Sequence, residues 1–167
     1  SRQLEEVTFR RTVIPVQELL DTAGKYFKKS MKNRSERIEL EIEPMEAKVI
    51  GDVNQLRFLL ENLIDEALTV REDGLIRLQA RQDNEYIRFL FTDTRREKSV
   101  EELNQLFYPN LARMTSGEKG ELRGTEYLIC KQIIRDHDEF AGRRGCRINA
   151  EPAEGGGFTV YFTIPRR

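Results

Sequence analysis

Asn62, Glu66 and Thr69 recur at helical spacing, so an amide, a carboxylate and a hydroxyl share one face of a helix. A carboxylate in that place is a hard oxygen donor of the kind Mg²⁺ takes; otherwise it is a solvated or salt-bridged surface group. Asp93 closes a strand-like run, where an aspartate caps its own turn. Gly124 precedes the third long helical pattern and reads as a hinge or helix-start glycine. Arg95, Arg96, Arg113, Lys119 and Arg123 lie in irregular stretches, interleaved with Glu97, Glu118 and Glu121. They either stay solvated or gather around an anion. His137 is the only histidine and falls near a helix C-terminus, as a packing or capping residue. Cys130 and Cys146 have no CxxC or zinc spacing and read as free thiols. No Ser-His-Asp order and no P-loop is present, so other enzyme classes have no residues to support them.

These groups need a scaffold, and composition allows one. The 167 residues are 38% hydrophobic, enough for a single globular domain across 1–167. With 28 Lys+Arg against 29 Asp+Glu the net charge is -1, which predicts no general attraction to nucleic acid or an anionic membrane. No apolar run approaches the roughly 20 residues of a membrane span. The first residue is Ser rather than Met, so a piece of a longer protein is expected, whose parent could be membrane-anchored.

The elements follow from periodicity. Residues 1–12 are either the tail of an upstream helix or a first edge strand. After Pro15, the residues Val16, Leu19, Leu20, Ala23 and Phe27 form one helical stripe. Ile38, Leu40 and Ile42 alternate with glutamates as a half-exposed strand. Asp52 opens a second helix, with Gln55 in capping-box position and Val53, Leu56, Leu60, Leu63 and Ala67 as its buried stripe. A hairpin of Leu75–Arg81 and Tyr86–Thr92 follows, then a short helix at Glu101–Phe107. A third long helix runs from about Thr125 to His137, and strands lie near Cys146–Ala150 and Phe158–Ile164. This order predicts a two-layer α/β (α+β) sandwich: one mixed, mostly antiparallel sheet with helices on one face.

The order of elements, the helix Gly51–Val70, the segment Cys130–His137 and the ending Gly157-Phe158-Thr159-Val160-Tyr161-Phe162-Thr163-Ile164-Pro165 resemble the catalytic ATPase domain of sensor histidine kinases. That domain belongs to the Bergerat-fold superfamily shared with type II topoisomerases, a cytosolic chaperone and mismatch-repair proteins. The resemblance implies ATP with Mg²⁺ as cofactors. It places Asn62 at the first asparagine of the N box and Glu66 at the Mg²⁺-ligating asparagine, with Thr69 in place of a basic residue. Asp93 matches the aspartate that binds the adenine amino group, but Arg95 and Glu97 replace the two glycines after it. Long side chains there would fill the adenine pocket. In the second glycine box, Leu122-Arg123-Gly124-Thr125-Glu126 keeps only Gly124, and Glu126 puts a negative charge where phosphate would sit. The segment Tyr108–Gly124 corresponds to the mobile lid, pinned at one end by Phe107, Leu111 and Met114.

The resemblance therefore implies a histidine-kinase-type ATPase domain of a two-component-like signalling protein, degenerate, with weak or no ATP binding. It would act as a docking or regulatory module for other domains of its parent and for a response regulator, in the cytoplasm, without nucleic acid or direct membrane contact. The alternative is a working domain that phosphorylates a histidine elsewhere in the parent protein.

Overall fold

A computed structural model describes residues 8–109 and 125–167. Strand β1 (Thr12–Pro15) leads directly into helix α1 (Val16–Ser30), whose buried side is the stripe Val16, Leu19, Leu20, Ala23 and Phe27. Pro15 is the N-cap, with extended backbone that its ring already favours. Strand β2 (Ile38–Ile42) and strand β3 (Lys48–Gly51) precede helix α2 (Val53–Ala67). The hairpin is β4 (Gly74–Asp83) and β5 (Tyr86–Asp93), turning at Asn84, whose φ of 56° suits an asparagine. Helix α3 (Val100–Asn104) is followed by helix α4 (Glu126–Phe140) and strands β6 (Ile148–Pro152) and β7 (Phe158–Pro165).

The main sheet has five strands in the order β2-β4-β5-β7-β6. Only β2 and β4 pair in parallel; the other pairs are antiparallel. Alternation decides which face is covered. Ile76, Leu78 and Ala80 of β4, Ile87, Phe89 and Phe91 of β5, and Val160 and Phe162 of β7 are buried beneath the helices. Phe89 and Phe162 stack there at 4.8 Å between ring centroids. The intervening residues Arg77, Gln79, Arg88 and Tyr161 stay partly exposed. The predicted sandwich with helices on one face is what forms.

Two features differ from the sequence expectations. Lys48–Gly51 is a strand, and with β1 it makes a separate two-stranded antiparallel sheet in register Thr12↔Gly51. Helix α2 also buries Leu59, Asn62 and Ile64 outside its predicted stripe, while Val53 is only partly covered. The physical reason is its central place: α1 and α4 both pack on it, and its buried side chains share one core with those of the sheet. The expectations for the lid, including Leu111 and Met114, fall outside the described residues, as do Arg113, Lys119, Leu122, Arg123 and Gly124. Phe107, at the near end, is buried with its ring edge-on to Tyr127 at 5.6 Å.

Candidate functional site

A cleft of about 450 Å³, open solvent included, lies where the C-terminal turn of α2 meets β5, β7 and the start of α4. Its walls are Ala67, Val70, Phe91, Tyr127, Phe158 and Val160, and its charged groups are Glu66, Asp93, Arg96 and Lys98. Of the residues proposed from sequence, Glu66 and Asp93 therefore meet in one cleft. Asn62 lies one turn earlier on α2 and is not in the lining; it is buried, and its Nδ2 donates to the Phe58 carbonyl at 2.8 Å. Thr69 is past the end of α2 rather than on its face, and its hydroxyl donates to the Glu66 carbonyl at 2.7 Å. Gly124 lies outside the described residues. No group of three or more His, Cys, Asp or Glu able to hold a metal occurs among the described residues. A cation at Glu66 would thus depend on oxygens that a ligand brings.

Asp93 ends β5 with its side chain 5% exposed, against Arg95 at 1%. Asp93 Oδ1 accepts from Arg95 N at 3.0 Å and Nε at 2.9 Å, and Oδ2 accepts from Nη2 at 2.9 Å. Arg95 directs its other donors to carbonyls at the end of α2. Nη1 donates to the Val70 and Glu72 carbonyls at 3.0 and 2.8 Å, and Nη2 to the Ala67 carbonyl at 2.7 Å. All five guanidinium N–H groups are used. A helix end leaves carbonyls unpaired and carries a partial negative charge, so a buried cation is favourable at this place. Arg34 does the same one residue along, donating from Nη2 to the Leu68 carbonyl at 2.8 Å.

Glycine makes room for this arrangement. Gly74 has φ +145°, and a Cβ there would stand 2.5 Å from Arg95 Cγ. Gly157 has φ +85°, and its Cβ would stand 2.1 Å from the Asp93 carbonyl oxygen. Glu97 turns to this second glycine, where its Oε2 accepts from Gly157 N at 3.1 Å. Arg95 and Glu97 do not line the cleft that remains: Arg95 is held by the Asp93 carboxylate and the end of α2, and Glu97 by Gly157 N. Sequence reasoning named Arg96 among the basic residues able to gather around an anion and missed Lys98 as a cleft residue. Its i, i+2 spacing from Arg96 was the available signal.

At the other end of α2, Asp52 is the N-cap, with Oδ1 accepting from Gln55 N at 3.1 Å. The reciprocal half of the predicted capping box is absent. Instead Asp52 N donates to His137 Nε2 at 3.0 Å. His137 Nδ1 lies 2.9 Å from the Ile133 carbonyl, so the neutral ring carries its proton on Nδ1. Burial pushes the His137 pKa down from its ordinary value. The histidine is a fully buried brace between α4 and α2.

Between the helices, Cys130 Sγ lies 3.7 Å from the Leu59 carbonyl. Burial pushes its thiol pKa up, and the Glu126 and Glu66 carboxylates nearby push it further. Glu126 sits in the first turn of α4, with Oε1 buried and no hydrogen-bond partner. Cys146 is likewise buried, its thiol raised to about 12 by desolvation and then by Asp138. Both cysteines are free.

No curated protein matches the sequence. Among solved structures, the mycobacterial sensor histidine kinase MprB aligns with a TM-score of 0.71 at 20% identity, over 95% of this chain and 99% of that one. The nucleotide-free catalytic domain of histidine kinase ThkA gives 0.72 at 22%, over 96% and 97%. ThkA in complex with the response regulator protein TrrA gives 0.69 at 19%, over 95% of this chain and 42% of that longer one. At these identities the likeness is one of fold. The family model of histidine kinase-, DNA gyrase B-, and HSP90-like ATPases matches residues 51–167, more than half of the sequence, and the chain belongs to that family.

Proposed function

We propose that this histidine-kinase-type domain has a degenerate nucleotide site, with weak or no ATP binding, and serves as a docking or regulatory module in a two-component-like signalling protein. The fold implies ATP with Mg²⁺, and the residues present do not fit that pair in the family's manner. The observation that carries the reading is the Asp93–Arg95 pair: the carboxylate that would receive an adenine amino group already accepts three hydrogen bonds from Arg95. Glu66 stands where a neutral amide would ligate Mg²⁺, and Glu126 stands at the start of α4. Both carboxylates act on Cys130 from facing helices, so negative charge gathers where a phosphate chain would enter. Asn62, hydrogen-bonded to its own helix, would give no help from its amide nitrogen.

Magnitudes support the same reading. Three altered contacts, at about 1–3 kcal/mol each, sum to roughly 3–9 kcal/mol. Micromolar affinity is worth about 8 kcal/mol, so the middle of that range leaves millimolar binding or weaker. The proposed partners are other domains of the parent protein and a response regulator, as in the ThkA–TrrA complex, in the cytoplasm. No helix among the described residues is long and apolar enough to cross a membrane.

The open aromatic cleft favours one rival, a working domain that phosphorylates a histidine elsewhere in its parent. A substitution series separates the two. Glu66→Asn alone should restore little binding, and Glu66→Asn with Arg95→Gly and Glu97→Gly should gain at least about tenfold in ATP affinity, the effect of regaining one contact. Circular dichroism checks that each variant folds. If Glu66→Asn by itself restored full magnesium-dependent binding, the Asp93–Arg95 pair would not be the block, and this reading would fail.

A further inference from the structure

The main sheet has two edges, β2 and β6, and they differ in what they offer a further strand. Strand β6 ends at Pro152, which has no N–H to give. Strand β2 contains no proline, and among the described residues no strand pairs with its outer side. Its inner side is fixed by two bonds that flank it. Gly74 N donates to the Arg37 carbonyl at 3.0 Å, and Glu43 N donates to the Leu78 carbonyl at 3.2 Å. In a parallel ladder this alternation turns the N–H and C=O groups of Glu39 and Glu41 toward β4. Those of Ile38, Leu40 and Ile42 then point outward, to the free edge.

The two faces beside that edge differ in charge. Glu39, Glu41 and Glu43 stand exposed on the open face of the sheet. Strand β4 shows which chemistry suits them. Arg77 Nε lies 3.2 Å from Glu41 Oε1, Gln79 Nε2 donates to Glu43 Oε2 at 3.0 Å, and Arg81 Nη2 lies 3.9 Å from Glu43 Oε1. Even so paired, the Glu41 and Glu43 side chains are 61% and 54% exposed, which leaves room for a second cation. On the helix face a groove of about 410 Å³ separates α1 from Ile42, lined also by Gln17, Asp21, Gly24, Lys25 and Lys28. Asp21 accepts from Gln17 Nε2 at 2.8 Å, so the two lysines set the charge of this groove. A second copy of the chain does not suit the edge: antiparallel pairing of β2 with itself would set glutamates opposite glutamates.

We propose that β2 is a docking edge for an extended segment of a partner polypeptide, basic and apolar side chains alternating along it, which joins the main sheet as a sixth strand. Its main chain pairs with Ile38, Leu40 and Ile42, and its basic side chains stand beside Glu39, Glu41 and Glu43. Its apolar side chains lie on the side of Leu40 and Ile42, where Lys25 and Lys28 oppose a positive charge. A slip of one residue would exchange the two faces, so the charges also fix the register. The inference deepens the docking reading above and rests on no feature of the nucleotide cleft, so its failure leaves the question of ATP binding untouched.

The probe is the capped peptide Thr-Arg-Ile-Arg-Ile-Arg-Thr, titrated into the ¹⁵N-labelled chain. One comparison peptide has glutamate in place of each arginine. Another keeps the arginines and is N-methylated along its backbone, which preserves the charge and removes the donors. The arginine peptide should bind saturably and at least about tenfold tighter than the glutamate peptide, the combined effect of three cross-strand charge pairs. It should slow amide exchange at Leu40 and Ile42 while leaving Glu39 and Glu41, already bonded to β4, unchanged. The N-methylated peptide should not protect those amides. Glu39→Arg with Glu41→Arg, checked for folding by circular dichroism, should reverse the preference toward the glutamate peptide. Equal affinity for the two charge forms, absent saturation, or no protection at Leu40 and Ile42 would overturn the proposal. So would binding that survives N-methylation undiminished, since charge alone would then account for it.

Discussion

Arg95 is the residue on which the site turns. Its guanidinium neutralises a buried aspartate and caps the carbonyls Ala67, Val70 and Glu72 after α2. Removing one partner of a buried pair leaves the other charge in a place water reaches poorly. Arg95→Met, which keeps much of the side-chain stem, should therefore cost about 3–5 kcal/mol of stability. Urea denaturation measures this directly. A loss under about 1 kcal/mol, typical of an exposed pair, would contradict a structural role. Sequence reading identified Arg95 as a replaced glycine whose long side chain would fill the adenine pocket, but not its bonds to the end of α2. The reason is physical: its partners lie 23 to 28 positions earlier and come near only when α2 ends beside β5. Asp93 as a turn-capping residue was legible, because the Arg95 N–H it accepts is only two residues away.

Helix α2 is positioned from both ends, and its N-terminus is sensitive to acid. The folded pKa of His137 lies below its ordinary value of about 6.5, so the unfolded chain takes up the proton first. The stabilisation by neutral His137 is complete above about pH 6.5 and declines as pH falls from there toward the folded pKa. Protonation would also turn Nε2 from acceptor to donor and break its bond from Asp52 N. Comparison of stability against pH in wild type and His137→Gln should show a steeper fall below pH 6.5 in wild type, by up to about 1.4 kcal/mol per pH unit. Parallel curves would show that the histidine does not titrate on unfolding. Among the elements, Ile38–Ile42 and the stripe of α1 were legible because their alternation and spacing are regular. The strand Lys48–Gly51 was not, since four residues carry too little pattern and the partner strand lies far earlier in the chain. The capping box at Asp52 was half legible: the aspartate caps locally, but the returning bond comes from a histidine 85 positions away.

At the scale of the molecule, the fold follows the family, and on the proposed reading the site departs from it. The five-stranded sheet and the central α2 depend on hydrophobic period and hairpin order, which the sequence retains. The ligand chemistry depends on a few residues at chosen places, and those are the ones that the proposed reading takes as replaced. This is why the main sheet and long helices were readable while the surroundings of the cleft were not: Arg95 takes up the Asp93 carboxylate, and Lys98 joins the lining. The measurement that tests the central claim most directly is a calorimetric titration of the unmodified chain with ATP in excess Mg²⁺. The account predicts no saturation below about 1 mM, equivalent to less than about 4 kcal/mol of binding. Saturable, magnesium-dependent binding at micromolar ATP would contradict it.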